Sequence, residues 1–222
     1  MKNSSPNNCK SNIVSEKTFL ASIVLNAILV ILGIIGLTIT IGQQGAELFS
    51  KYTNLSNMLS LLFSLLYLIF GIIAFAKKRF EIPKIILLFR FLAVVSLMVT
   101  FFVVMAGFIS GWGVDSFSWA FIDNSALEFH LICPILSLIS FLFFETTMRL
   151  KFRHILFSSL LTYVYTVISV TLNILKIWHG PYPFLYVYEQ PFLMSVLWVV
   201  VINGGSMLIG FLILIIKNRR LS

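Results

Sequence analysis

Six apolar runs separated by short polar segments make up most of this chain: Phe19–Gly42, Leu55–Ala76, Ile85–Ile109, Leu127–Phe144, Ile155–Leu175 and Pro191–Ile216. A helix needs ~20 apolar residues to cross the ~30 Å hydrocarbon core of a bilayer, and each run is near that length. The pattern predicts an all-α, polytopic integral membrane protein with six transmembrane helices. They form a single transmembrane domain over residues 1–222, placed in the cell membrane. Composition agrees, since 59% of the 222 residues are apolar, 11% are charged and the mean hydropathy is +1.00. A soluble fold of this size has too little interior to hide so much apolar surface.

Charge changes the picture by giving it a direction. Thirteen of the sixteen Lys and Arg residues fall in four segments: the amino-terminal tail, 77–84, 149–153 and 217–220. The alternate segments hold Lys51 and Lys176. An even number of spans puts the four basic segments on one face, which the positive-inside rule makes cytoplasmic, so both termini are expected there. The net charge of +8 therefore reads as a topology signal, and no nucleic-acid partner is expected. The first eighteen residues contain no apolar h-region, so the first helix is expected to act as its own insertion signal. Arg90 lies six positions into the third run, roughly 9 Å from Lys84. Its expected course is to snorkel to the inner headgroups, with an ion pair or a buried polar network as the alternative.

Polar residues inside the runs fall into stripes. Thr53, Ser56, Asn57, Ser60 and Ser64 share one face of the second helix, and Ser158, Thr162, Thr166, Ser169 and Asn173 share one face of the fifth. Such stripes must face protein or water, and interhelical hydrogen bonding is their simplest account. Ser206 and Gly210 form a small-residue packing pair on the sixth. The connections 110–126 and 176–190 are rich in aromatics, with alternate positions at Phe117, Trp119 and Phe121 and at Tyr182, Phe184, Tyr186 and Tyr188. They read either as an aromatic belt at the headgroups or as extended flaps over the mouth of the bundle.

Candidate chemistry centres on the fourth run. Ser125 and Glu128 have capping-box spacing, and His130 follows roughly 7 Å below that cap. Pro134 cannot donate to the His130 carbonyl, which invites a kink. A histidine on an apolar helix is costly unless paired or solvated, so a structural hydrogen bond is one account of it. Topology supplies another. A second helix starting near Ala46 would put Thr53 roughly 10 Å along it, at a depth similar to His130. A threonine hydroxyl beside an imidazole is the minimum for an activated oxygen nucleophile, whereas the competing reading makes Thr53 a helix cap. Cys133, three residues after His130, is a fallback nucleophile or a small packing residue. No disulfide is expected between Cys9 and Cys133. The three histidines, His130, His154 and His179, are spread across the topology, so neither a metal nor any other cofactor is expected.

At these residues the chain resembles a known family. Tyr52-Thr53-Asn54-Leu55-Ser56-Asn57 resembles the second-helix motif of the androgen-induced and androgen-dependent tissue-factor-pathway-inhibitor-regulating membrane proteins and their bacterial relatives. His130 with Pro134 resembles their fourth-helix histidine motif, and Tyr182-Pro183-Phe184-Leu185 the Tyr-Pro-Phe segment of bacterial members. The resemblance implies a six-helix threonine hydrolase that cleaves fatty-acid esters, such as esters of hydroxy fatty acids. Thr53 would be its nucleophile and His130 its base. Asn57 is a candidate for orienting His130 or stabilising an oxyanion, and Trp119, Tyr182 and Phe184 for covering the substrate. The expected partners are a membrane lipid or fatty-acyl ester and the bilayer itself. The alternative is a small-molecule binding or transport subunit, of the size of the substrate-binding components of vitamin importers.

The charge split generates the first prediction. In intact cells, cysteines introduced near Lys78 and Lys151 should resist an impermeant thiol reagent, and one near Asp115 should react. Labelling at Lys78 from outside would reverse the orientation.

Overall fold

The computed structural model describes residues 15–110, 116–122, 125–145 and 148–221, and among these the chain is helical with no strand. Helix α1 (Glu16–Gln44) starts at Ser15, whose hydroxyl accepts from the Thr18 amide, with Glu16 in the first turn where the helix dipole favours it. A 3-10 turn (Gly45–Ser50), entered through Gly45 at φ 54°, leads to α2 (Tyr52–Ala76). Pro83 precedes α3 (Lys84–Ile109), followed by the short α4 (Ser116–Phe121). Helix α5 (Glu128–Phe144) is α-helical over Cys133–Ile139 and widens into π turns at both ends, Glu128–Ile132 and Ser140–Phe144. The fifth apolar run is divided into α6 (Arg153–Ser158) and α7 (Leu160–Ile174), and α8 (Phe192–Arg220) closes the chain. At the division, the Ser158 hydroxyl donates to the Ile155 carbonyl, which also accepts from the Ser159 amide.

Four helices, α1, α2, α3 and α8, are long and apolar enough to cross a membrane, while α5 and α7 are shorter apolar helices. This is the architecture of a helical membrane protein. Its outer surface is apolar, with Ile31, Ile34, Ile72, Val167, Val200 and Leu212 about half exposed. Its polar stripes are inside. Ser56, Asn57, Ser60 and Ser64 of α2, and Ser158, Thr162, Thr166, Ser169 and Asn173 of α6 and α7, are all buried. Helix α3 is the axis, with fifteen of its 26 residues buried and α2, α5, α6, α7 and α8 packed against it. Gly210 of α8 meets Ser158, so that the small-residue pair lets α8 approach α6.

The basic end of the bundle is closed by a buried polar network. Arg90 is fully buried rather than snorkelling, because Glu145, at the end of α5, meets it. Its Nη2 lies 3.0 Å from Glu145 Oε1, and its Nε is 3.2 and 3.3 Å from the two carboxylate oxygens. The guanidinium also donates to Ser64 of α2 and Ser137 of α5. Asn26 of α1 and Ser140 of α5 donate to the same carboxylate at 3.0 and 2.8 Å. The π turn matters here. The Glu145 amide bonds to Ser140 O instead of Phe141 O, and the displaced Phe141 carbonyl accepts from Lys217 Nζ at 2.6 Å. Lys217, assigned above to the basic tail, thus lies fully buried in α8, bonded also to Glu145 O and set over the Phe141 ring.

Removing one partner of a buried ion pair strands the other, at a cost of about 3–5 kcal/mol. Glu145→Gln should destabilise the protein by that order in thermal unfolding in detergent. The Arg90→Met, Glu145→Leu double variant should lose clearly less than the two single variants added together.

Candidate functional site

At the opposite, aromatic end lies a cavity of about 510 Å³, within the ~300–1,000 Å³ typical of small-ligand sites. It is walled by the first turn of α2, the far half of α3, the start of α5, the middle of α7 and the segment Pro181–Leu185. Of the residues singled out in the sequence, Thr53, His130, Tyr182 and Phe184 line this one cavity.

Thr53 is placed by the true start of α2. The helix begins at Tyr52, six residues later than Ala46, so Thr53 is its second residue and lies in the first turn. Neither is Thr53 the cap: Lys51 holds that position and makes no side-chain capping bond. The first-turn amides of a helix have no acceptor within the helix. Here the Thr53 amide donates to the Tyr182 hydroxyl at 3.4 Å, and that hydroxyl interacts with the Thr53 side chain and the Tyr52 amide as well. Burial pushes the Tyr182 phenol upward, against the smaller pull of these hydrogen bonds, so at neutral pH it is an uncharged hydroxyl able to donate.

His130 sits in the first π turn of α5 and is partly buried. Its Nδ1 is 2.9 Å from the carbonyl oxygen of Ala120 in α4. A carbonyl can only accept, so Nδ1 carries a proton, and in a neutral ring Nε2 is then the acceptor nitrogen. The capping box does not form: the Ser125 hydroxyl pairs with Thr40 of α1 at 2.8 Å, and the Cys133 amide closes the wide turn on Glu128 O. The loss of a donor at Pro134 is thus accommodated by a widened helix rather than by a break. Phe129 packs its ring where a side chain on Gly36 would have to sit, which fixes α5 against α1.

Asn57 is buried one turn below Thr53 and does not line the cavity. Its amide donates to the Thr53 carbonyl at 2.9 Å and to the Phe129 carbonyl at 3.2 Å. Both amide protons are therefore spent on backbone, which makes Asn57 the tie holding α2 to α5 rather than an oxyanion donor. Cys133 is buried outside the cavity lining. His179 pairs with Glu189 on the exposed surface, and His154 accepts from the Lys151 amide at the basic end. Among the described residues no group of three or more His, Cys, Asp or Glu could hold a metal.

The aromatic connections are not two extended flaps. Residues 116–121 form the helix α4, so Phe117 and Phe121 share a face and both meet Phe108. The Trp119 side chain, with Trp112 and Asp115, lies outside the described residues. In the second connection Tyr182 and Phe184 stack at 5.3 Å over the cavity. Tyr186 and Tyr188 instead fold back, donating to Gly180 O and Ile174 O. Two further residues line the cavity, Tyr52, which opens the second-helix motif, and Tyr165, which was not singled out in the sequence. Tyr52 pairs with Thr162 of the α7 stripe, and Tyr165 meets Tyr52 edge-on. Their signal was an aromatic beside a polar stripe. Neither family models, curated proteins nor solved structures give a match to this chain.

Asn57→Ala should lower stability by about 1–3 kcal/mol, since it takes the Asn57 donor from the Phe129 carbonyl and with it the tie between α2 and α5. Thermal unfolding in detergent measures this, and no change would show that α2 and α5 are held by other contacts.

Proposed function

We propose that this chain is a membrane-embedded lipid esterase of six transmembrane helices, with both termini cytoplasmic and its site near the outer leaflet. The observation that carries the reading is that Thr53 and His130 line one cavity, with the Tyr182 phenol at Thr53 and the His130 Nδ1 held by the Ala120 carbonyl. Fatty-acyl esters, such as esters of hydroxy fatty acids, suit a site whose surroundings are apolar and whose opening meets the aromatic end.

In this mechanism Thr53 Oγ attacks the acyl carbonyl while His130 Nε2 takes its proton. The oxyanion of the tetrahedral intermediate is met by the Tyr182 hydroxyl and by the positive end of α2. Collapse expels the alcohol, which takes the proton back from His130 and leaves an acyl-threonine. Water then attacks, with His130 again as base, releasing the fatty acid and restoring Thr53. Family resemblance supports the same pair, since the matching motifs centre on Thr53 and His130. The cover of Pro181–Leu185 over the cavity favours one second reading, a binding subunit that encloses a small molecule.

Purified variants of equal thermal stability decide between them, assayed on a medium-chain aryl ester. Thr53→Ala and His130→Ala should each lose ~10²–10⁴-fold in kcat/KM, and the double variant little more, because the pair acts in one step. Thr53→Ser should retain activity, and His179→Ala should change nothing. Full activity in Thr53→Ala would end the threonine-nucleophile reading. A tightly held small molecule released from inactive protein would favour the binding subunit.

A further inference from the structure

A second hollow, of about 370 Å³, lies on the outside of the bundle between the start of α2 and α7. Phe49, Val164 and Ile168 on its rim are 58, 46 and 51% exposed, so it opens toward the lipid. Along α7 it runs from Leu161 to Leu172, roughly 16 Å at 1.5 Å per residue. That is about half of the ~30 Å hydrocarbon core, the depth of one leaflet. None of the residues lining it is charged. Tyr165 is the wall it shares with the cavity, since the same side chain lines both.

Tyr165 is held like a latch. Its hydroxyl donates to Ser50 O at 2.7 Å, and its ring meets Tyr52 and Tyr182 edge-on at 5.4 and 6.0 Å. Ser169, one turn along α7 and 3% exposed, also lines the groove. Its hydroxyl has no partner at hydrogen-bond geometry, although the Tyr165 phenol is near enough to interact with it. A phenol with a nearby hydroxyl to turn to can exchange one bond for another at little net cost.

We propose that the groove is the acyl-chain path of the cavity: one long acyl chain lies along α7 and passes Tyr165 to bring its polar end beside Thr53. The proposal rests on the esterase reading for what happens at Thr53, not for the binding itself. Three features select this occupant. A lipid headgroup would need charged walls, and none of the lining residues is charged. A partner's transmembrane helix would need a face running the full depth of the membrane, and this groove runs half of it. An acyl chain needs apolar walls one leaflet deep, and these are present.

The test uses the full chain in lipid nanodiscs with two photoreactive fatty-acid methyl esters, one long-chain and one short-chain, and maps the labelled peptides by mass spectrometry. The long-chain probe should label both 161–172 and 181–185. Val164→Trp, a change on a half-exposed, lipid-facing position, should fill the groove and reduce long-chain labelling of both segments by about tenfold. That is the loss expected from expelling roughly two methylenes from apolar contact. Short-chain labelling of 181–185 should not change, and Ile168→Trp should behave alike. Undiminished long-chain labelling of 181–185 in both variants would overturn the proposal, as would a groove occupied by a second copy or another protein in crosslinked species. Labelling needs no turnover, so in a Thr53→Ala background, where the ester is not cleaved, Val164→Trp should cause the same loss of long-chain labelling. A failed esterase reading and a failed acyl path therefore give different results.

Discussion

Placing Arg90 and Glu145 in the interior of a protein whose exterior is lipid leaves each group with no alternative to the other. In water a separated pair would be solvated, whereas here an unpaired charge would face apolar side chains. The pair therefore constrains every element that touches it. Glu145 ends α5, Arg90 lies on α3, and Ser64, Asn26 and Lys217 bring in α2, α1 and α8. Five helices are thereby fixed in height and rotation at the basic end. The π turn at Ser140–Phe144 belongs to this arrangement, because it frees the Phe141 carbonyl that holds Lys217.

With one end tied, the other can afford a hollow. Helix α3 runs through both, carrying Arg90 at the closed end and Val99, Thr100, Val103 and Val104 along the cavity wall. The first π turn of α5, Glu128–Ile132, sits at this open end and carries His130. Asn57 links α2 to α5 through the backbone carbonyls of Thr53 and Phe129.

How much of this was legible follows from the range of each interaction. Apolar runs and polar stripes are local, so the helical membrane fold and the inward faces of α2, α6 and α7 could be read from the sequence. The partner of Arg90 could not, because Glu145 lies fifty-five residues away at a helix end and carries no pattern. Lys217 looked like one more tail cation for the same reason. The start of α2 was misplaced because Gly45–Ser50 continues the helical hydrogen bonding as a tighter turn. Alternating aromatics in 116–121 resembled an extended segment, but the short helix there packs two of them on Phe108. Tyr182 and Phe184 could be picked out, but the bond from Tyr182 to the first turn of α2 was beyond any local pattern.

That later start of α2 bears directly on what Thr53 can do. A threonine inside a helix ordinarily donates its hydroxyl to a carbonyl three or four residues back, as Thr38 does to Ile34 and Thr40 to Gly36. Two other buried threonines are engaged with side chains, Thr100 with Ser56 and Thr162 with Tyr52. At the second position of α2 the fourth residue back, Phe49, belongs to the preceding turn, and the carbonyl of the third, Ser50, accepts from Tyr165. Thr53 is left facing Tyr182 in a cavity instead of its own helix. The Tyr165 side chain that donates to the Ser50 carbonyl also lines both the cavity and the lipid-facing groove.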